Sequence, residues 1–160
     1  MQILTPLNLP PFTPRLKKEG ERTEIFDPLR QRFVALTPEE WVRQHFVNFL
    51  IEHKGYPLNL MANEVSLSLN GMNRRCDTVL YDVHLQPRMI IEYKRPDVAI
   101  TQKVFDQICR YNIVMHVDYL IVSNGLNHYC CKMDYENQTY EFLKEIPRYG
   151  EVRAERVIWA

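Results

Sequence analysis

Two carboxylates and a lysine stand close together near the middle of the chain, in the pattern Asp77-x14-Glu92-Tyr93-Lys94. Glu92 and Lys94 end the apolar run Met89-Ile90-Ile91, which predicts a strand. Because side chains two apart on a strand share a face, the acid and the base are expected to point the same way, with Cα atoms roughly 6–7 Å apart. Asp77 adds a second carboxylate on that face if its own strand pairs with this one.

Such a cluster is suited to the hydrolysis of a phosphodiester. That reaction needs a divalent metal, which neutralises charge on the phosphate and lowers the pKa of an attacking water. Asp77 and Glu92 are predicted to hold magnesium or manganese, joined by a backbone carbonyl such as that of Tyr93. Lys94 could orient the water or stabilise charge in the transition state. The alternative interpretation is a structural ion-pair cluster across two strands.

A helix is predicted to begin at Thr37 and to end near Lys54. Thr37-Pro38-Glu39-Glu40 supplies an N-cap, a proline at the first helical position and the glutamate of a capping box, and Gly55 stops the helix. The apolar stripe of this helix contains Val42, Phe46, Phe49 and Leu50, with Trp41 at the rim. Glu40, or Glu39 beside it, either compensates the helix dipole or brings a further carboxylate to the metal.

Strand patterns follow this helix. They are predicted at residues 64–69, 74–83, 89–94, 118–123, 126–133 and 139–143, with a hairpin turn at Asn70-Gly71. In the strand of Asp77, the residues expected on its face are Arg75, Val79 and Tyr81, and those on the other face are Cys76, Thr78, Leu80 and Asp82. Neither face is cleanly polar, which is expected of a strand covered on both sides.

A second helix is predicted from Thr101 to about His116. One stripe toward the sheet is formed by Val104, Gln107, Ile108, Tyr111 and Met115. The strand after this helix is expected to lie parallel to strand 89–94, because strand–helix–strand connections are right-handed crossovers.

Residues 1–36 and 145–160 are predicted to lie outside a core of residues 37–144. Residues 1–20 carry four prolines and are expected to form an extended arm that lies on the surface or is partly disordered. Residues 23–26 and 32–36 flank the turn Asp27-Pro28-Leu29-Arg30 and predict a short hairpin. In the tail, Val157-Ile158-Trp159 could form an edge strand or a docking surface.

Composition narrows the class of protein. A length of 160 residues suits one domain, and the 20 basic and 20 acidic residues give a formal net charge of zero. Any binding to nucleic acid must therefore come from a local patch or a larger assembly. The four cysteines form no CxxC pair, and no secretory signal or apolar run of membrane-spanning length occurs, which indicates a reduced, cytoplasmic location. The scattered histidines do not have the spacing of a zinc site.

Four ordered blocks resemble a known family. They are Arg75-x-Asp77-Thr78-Val79-Leu80-Tyr81-Asp82, Ile90-Ile91-Glu92-Tyr93-Lys94-Arg95-Pro96, Phe105-Asp106-Gln107-x3-Tyr111-Asn112 and Ser123-Asn124-Gly125. Residues 37–143 resemble the N-terminal nuclease domain of type I restriction enzyme R subunits, which belongs to the PD-(D/E)xK nuclease superfamily. The resemblance implies a restriction-endonuclease-like α/β (α+β) fold, a mixed central sheet flanked by helices in the order α-β-β-β-α-β, to which the N-terminal hairpin is added.

The same resemblance implies roles for individual residues. It implies a magnesium-dependent DNA endonuclease site at Asp77, Glu92 and Lys94. Gln107 and Tyr111 match the Q-x3-Y motif that lies near the DNA and the active centre in some branches of the superfamily. The residues predicted to contact nucleic-acid phosphates are Arg74, Arg75 and Arg43.

Two features depart from the family pattern. Cys76 stands where the nominal proline would precede Asp77, and the chain has no GxxxxGK[ST] loop of a helicase motor. We therefore expect a stand-alone, metal-dependent DNA nuclease domain whose partners include DNA and could include methyltransferase, specificity or helicase subunits. The alternative is a catalytically silent nucleic-acid-binding or assembly module that keeps the fold and acts with a partner protein.

Overall fold

The computed structural model describes residues 4–69, 71–113 and 115–153. The strands are β1 Leu16–Glu19, β2 Arg22–Asp27, β3 Arg32–Ala35, β4 Met61–Leu69, β5 Met72–Tyr81, β6 Pro87–Tyr93, β7 Tyr119–Ser123, β8 His128–Asp134 and β9 Thr139–Leu143. The helices are α1 Pro38–Lys54, α2 Gln102–Ile113 and α3 Tyr149–Val152, with a 3-10 turn at Leu58–Leu60. Within the described ranges, no helix has both the length and the apolar character needed to cross a bilayer.

A six-stranded mixed sheet forms the centre of the fold, in the order β4-β5-β6-β7-β8-β9. Only β6 and β7 run parallel, and the other neighbours in this sheet are antiparallel. α2 connects β6 to β7, because two parallel neighbours need a long crossover. The mixed central sheet with flanking helices that the sequence predicted is confirmed.

α1 begins and ends where its sequence predicts. The Thr37 hydroxyl accepts a hydrogen bond from the Glu40 amide at 3.1 Å, and Gly55 closes the helix in the left-handed region at φ 74°. The stripe that α1 buries contains Val42, Phe46, Val47 and Leu50. Phe49 is only partly buried, so Val47 takes the place in the core that the prediction gave to Phe49.

The sheet is buried on both faces by two separate apolar clusters. Met89, Ile91 and Tyr93 of β6 pack in the cluster beneath α1. Ile90 points the other way and packs in the cluster beneath α2. Glu92 follows the same alternation and therefore lies on the α2 side. This double burial explains why β6 is almost continuously apolar until it reaches Glu92.

α2 turns to the sheet a face that overlaps with the one predicted. The buried positions in the helix are Phe105, Ile108, Cys109 and Asn112, at i, i+3, i+4 and i+7. Ile108 and Met115 of the predicted stripe are buried, and Val104 packs against the same cluster. Gln107 is exposed, so the predicted face is confirmed only in part. The helix also ends at Ile113, three residues before the predicted His116.

The alternation predicted for the strand of Asp77 is interrupted. Cys76 packs with Val79 on the α2 side, although the two are three residues apart. On the neighbouring strand, Glu64 has a left-handed φ of 57°, and the pairing passes from Asn63 with Thr78 to Val65 with Cys76. Asp77 therefore lies at a local irregularity of the sheet, and the prediction that Cys76 and Leu80 share a face was wrong.

The N-terminal region is more ordered than the arm and two-stranded hairpin that its sequence predicts. β1 lies within the predicted arm and makes a three-stranded antiparallel sheet with β2 and β3. Leu7 and Leu9 pack against the core beneath α1, and the Asn8 amide donates to the Gly125 carbonyl at 2.8 Å. The arm is therefore part of the packed structure from residue 4 onward.

The C-terminal segment also contacts the core. Val152 of α3 is fully buried, and the Tyr56 hydroxyl donates to the Pro147 carbonyl at 2.9 Å. Residues 145–153 were predicted as a tail, but they pack against the sheet. The predicted turn residue Asn70 and the segment Val157-Ile158-Trp159 lie outside the described residues.

Candidate active site

Asp77 and Glu92 lie side by side where β5 and β6 stop pairing. Thr78 with Ile91 is the last pair at this end of the ladder, and Asp77 and Glu92 are the next residue on each strand. An oxygen of Asp77 accepts a hydrogen bond from the Tyr93 amide at 2.8 Å. The carboxylate of Asp77 thus continues the ladder in place of a backbone carbonyl, and its position is fixed relative to β6.

The environment of Glu92 is unfavourable for a lone negative charge. Its exposed fraction is 7%. Burial raises the pKa of Glu92, and the charge and hydrogen bond of Asp77 raise it further, whereas Arg74 and Lys94 act in the opposite direction. Two carboxylates at such a position favour a bound proton or a bound cation between them.

Two basic residues lie beside this pair. Arg74 donates to an oxygen of Glu92 at 2.9 Å. The Lys94 amide donates to the Ser123 carbonyl at 2.8 Å, which ties the end of β6 to β7. Among the described residues, the Lys94 ammonium has no carboxylate within ion-pair distance.

Glu40 and Arg43 are placed differently from their predicted roles. Arg43 has an exposed fraction of 6%, and its guanidinium bonds Glu40, Glu64 at 2.6 Å and the Asp77 carbonyl at 2.8 Å. Burial by itself would lower the pKa of Arg43, but the two glutamates hold it above its ordinary value. Arg43 is therefore directed into the protein, where its donors are used by Glu40, Glu64 and the Asp77 carbonyl and are not available to a phosphate.

The Glu40 carboxylate is likewise occupied. It accepts hydrogen bonds from Arg30 at 2.6 Å, from Arg43 at 3.0 Å and from Gln44 at 2.9 Å. The structure does not bring the Glu40 carboxylate to Asp77 and Glu92, because these three donors hold it near the start of α1. Glu39 stays in the first turn of α1, where a negative charge complements the helix dipole.

The remaining predicted residues lie nearer to solvent. The side chain of Arg75 is 74% exposed and pairs with Glu64 at 2.7 Å. Gln107 is exposed on α2. Tyr111 belongs to the same helix, but its side chain lies outside the described part of the structure. Arg75 and Gln107 are thus accessible to a large partner.

The donor set at Asp77 and Glu92 fits a hard divalent cation. Among the described residues, no group of three or more His, Cys, Asp or Glu side chains is placed to hold a metal. Magnesium, however, is often bound by one or two carboxylates, with waters and substrate phosphate completing its shell. The two carboxylates could therefore hold magnesium or manganese, while a carboxylate–imidazole or thiolate site is not formed here.

Sequence reasoning missed several polar residues around the site. Arg30 and Asn63 join the N-terminal sheet to α1 and β4 through Glu40 and Asp27. The sequence predicts the turn that contains Arg30, but nothing in the local pattern indicates a distant carboxylate. It also predicts Glu64 in a strand, but no sequence signal indicates the left-handed φ of Glu64 or its contact with Arg43.

Comparison with known proteins identifies related sequences and folds. A family model described as "Type I restriction enzyme R protein N terminus (HSDR_N)" matches residues 38–147. No curated protein sequence matches.

Two solved structures are similar. One is described as a fragment of an HsdR subunit of a type I restriction enzyme from Vibrio vulnificus YJ016, with a TM-score of 0.52, 18% identity and 73% of this chain covered. The other is a cryoEM structure of a DrdV–DNA complex, with a TM-score of 0.43, 18% identity and the same coverage. This chain spans only 24% and 11% of those two chains. At this identity, the first similarity supports the fold alone.

Proposed function

Because the chain belongs to the family of type I restriction enzyme R protein N termini, we propose that it is a metal-dependent nuclease domain that hydrolyses DNA phosphodiesters. The observation that carries the proposal is the contact between Asp77 and Glu92 at the end of the β5–β6 ladder, with Lys94 two residues beyond. A purely structural site would rarely place a buried glutamate against a second carboxylate, since the neighbouring charge disfavours the ionised form of Glu92.

Individual residues have distinct roles in this proposal. Asp77, fixed by the Tyr93 amide, and Glu92, held by Arg74, are the proposed ligands for magnesium or manganese. The bound ion would neutralise the scissile phosphate and activate water. Lys94 stabilises the negative charge that develops on the phosphate, or orients the attacking water. The exposed side chains proposed to contact DNA are Arg75 and Gln107.

A cleavage assay tests this proposal. Plasmid and single-stranded DNA are incubated with manganese and with the wild type, Glu92→Ala, Lys94→Met or Lys144→Met. Lys144 is an exposed lysine beyond β9 and serves as the control. We expect Lys94→Met to lower kcat by at least about 100-fold, because it removes a charge-stabilising group. Its manganese affinity should change little, whereas Glu92→Ala should lose both binding and cleavage.

Cleavage that survives Lys94→Met unchanged would contradict the assigned role of Lys94. The control variant should cleave like the wild type, which excludes a general effect of lowering the positive charge.

A second candidate function is a catalytically silent module that binds DNA and acts with a partner. It is favoured by the pairing of Arg74 with Glu92, because a cation would have to compete with that arginine. The proposed partners of such a module are specificity, methyltransferase or helicase subunits. Manganese binding without cleavage of any DNA tested would favour this function over the nuclease.

A further inference from the structure

A chain of paired charges runs from the N-terminal sheet to the backbone of Asp77. Arg30, in the loop between β2 and β3, bonds both Asp27 and Glu40. Glu40 in turn accepts two hydrogen bonds from Arg43, at 3.0 and 3.1 Å. Arg43 then donates to the Asp77 carbonyl at 2.8 Å. Three side-chain contacts therefore separate the N-terminal loop from the first proposed metal ligand.

A second route starts from Asp27 and ends beside Glu92. Asn63 donates to Asp27 at 2.9 Å and accepts from the Thr78 hydroxyl at 2.6 Å. The Thr78 hydroxyl also lies 2.9 Å from the Tyr93 hydroxyl. Thr78 and Tyr93 are the residues that follow Asp77 and Glu92 in sequence, so this route reaches both strands of the site.

Both routes are buried, which limits how far their members can relax. The Arg30 side chain is 15% exposed, and those of Glu40 and Arg43 are 6% and 8% exposed. A buried charge that loses its partner is costly, so the remaining members must move to find another. Movement of Arg43 would displace the carbonyl of Asp77, and movement of Thr78 would displace the hydroxyl of Tyr93.

We propose that the N-terminal sheet is a working part of the active site and that Arg30 and Asp27 are positioning residues for the Asp77–Glu92 pair. Arg30 acts through Glu40 and Arg43, and Asp27 acts through Asn63, Thr78 and Tyr93. Both residues precede residue 38, where the match to the family model begins. The inference rests on the proposed function for its effect on metal and DNA, but the positioning itself is measurable without either.

The test compares Arg30→Met with Arg22→Met in the full chain. Both residues belong to the N-terminal sheet region, but among the described residues the Arg22 side chain pairs only with Glu24 of its own strand, at 3.2 Å, and it is 59% exposed. The Tyr93 amide donates to Asp77, so its 1H–15N chemical shift in metal-free protein reports the placement of that carboxylate. Manganese affinity, kcat and KM for DNA are measured on the same proteins.

We expect Arg30→Met to shift the Tyr93 amide resonance, to weaken manganese binding about tenfold and to lower kcat by about the same factor, as is typical when a group that orients a ligand is lost. KM for DNA should stay within about twofold, because Arg30 contacts no proposed DNA-binding residue. Arg22→Met should match the wild type. Arg30→Lys, which keeps the charge but not the planar fork, should fall between wild type and Arg30→Met.

A folded Arg30→Met whose Tyr93 shift and manganese affinity match those of Arg22→Met would overturn the inference. If Arg30→Met does not fold, Arg30→Lys decides, and wild-type values for it would overturn the inference equally. A wild type that neither binds manganese nor cleaves DNA contradicts the proposed function instead, and the Tyr93 shift still decides the positioning role.

Discussion

Asp27 and Glu92 are both buried acids, but hydrogen-bond donors surround Asp27, whereas a second carboxylate lies beside Glu92. Asp27 accepts hydrogen bonds from Asn63, Arg30 and the Leu29 amide. Burial alone would raise the pKa of Asp27, but these donors hold it below its ordinary value. Glu92 has Asp77 as a neighbour, and its pKa is raised by burial and by that charge. Abundant donors indicate a structural acid, whereas an adjacent like charge indicates a site for a cation or a proton.

The donors around Asp27 lead to a pH-dependent prediction. Asp27→Asn should lower the free energy of unfolding at pH 7 by about 2–4 kcal/mol, because a neutral amide cannot satisfy Arg30 and Asn63 together. The folded pKa of Asp27 is lowered, so its stabilisation is complete above the ordinary pKa and is lost as the pH falls through the folded value. Urea unfolding of the wild type and the variant between pH 2.5 and 7 measures this difference.

Asp97→Asn is the control for that measurement, because Asp97 makes only an exposed pair with Arg95. It should change stability little at any pH. If the free energies of unfolding of the wild type and Asp27→Asn differ by the same amount down to the lowest pH, the conclusion that Asp27 is charged in the folded protein is contradicted.

At the scale of single residues, the sequence predicts what local spacing controls and fails where distant segments meet. The adjacency of Asp77 and Glu92 follows from strand period and register, which short-range patterns encode. The sequence predicts that Glu40 compensates the helix dipole or reaches a metal, and that Arg43 contacts a phosphate. The structure instead pairs Glu40 with Arg30, which lies outside the helix and bonds Glu40 from the N-terminal loop.

At the scale of elements, the ends of α1 were predictable, whereas the buried face of α2 was predictable only in part. α1 carries its own capping residues, so its ends are encoded locally. In α2, two stripes one residue apart hold similar numbers of apolar side chains, and the choice depends on what each position meets in the sheet. The Asn112 amide nitrogen donates back to the Ile108 carbonyl at 2.8 Å, a local contact that periodicity does not reveal.

The loop between β7 and β8 provides a prediction about how the arm is held. Gly125 has φ 85°, and a Cβ atom there would lie 2.7 Å from a Leu7 methyl group. Gly125→Ala should therefore lower the free energy of unfolding by about 2–4 kcal/mol, from the left-handed backbone and from the displacement of the arm. Urea unfolding measures the loss.

Gly20→Ala separates the two causes, because Gly20 also has a left-handed φ, 64°, but no atom within 4 Å of its added Cβ. It should cost only about 1–2 kcal/mol. Equal losses of unfolding free energy in Gly125→Ala and Gly20→Ala would show that the added Cβ at position 125 does not clash with Leu7. The double variant Leu7→Ala/Gly125→Ala should recover part of the extra loss that Gly125→Ala shows over Gly20→Ala.

At the scale of the molecule, segments before and after the predicted core complete it. Leu7 and Leu9 from the arm and Val152 from α3 all pack in the cluster beneath α1. Composition alone does not show that these segments belong to the core. Their prolines and charges weaken the hydrophobic periodicity, and only a few apolar side chains contact the cluster beneath α1. Glu92 lies on the other side of the sheet, so the described parts of the arm and of the C-terminal segment stabilise the layer opposite this carboxylate.

Thermal unfolding of the whole chain distinguishes a cation site from a structural ion-pair cluster. If Asp77 and Glu92 hold a metal, manganese at about 100 times its Kd should stabilise the wild type by about 2.7 kcal/mol. Glu92→Gln should abolish that gain and, in metal-free buffer, should be more stable than the wild type by about 0.5–2 kcal/mol, because a neutral amide replaces a buried carboxyl group beside Asp77. Glu141→Gln, an exposed change on β9, should leave both quantities unaltered. If the Arg74–Glu92 pair is structural, the opposite result is expected. Glu92→Gln should then be less stable than the wild type, and manganese should not change the stability of the wild type.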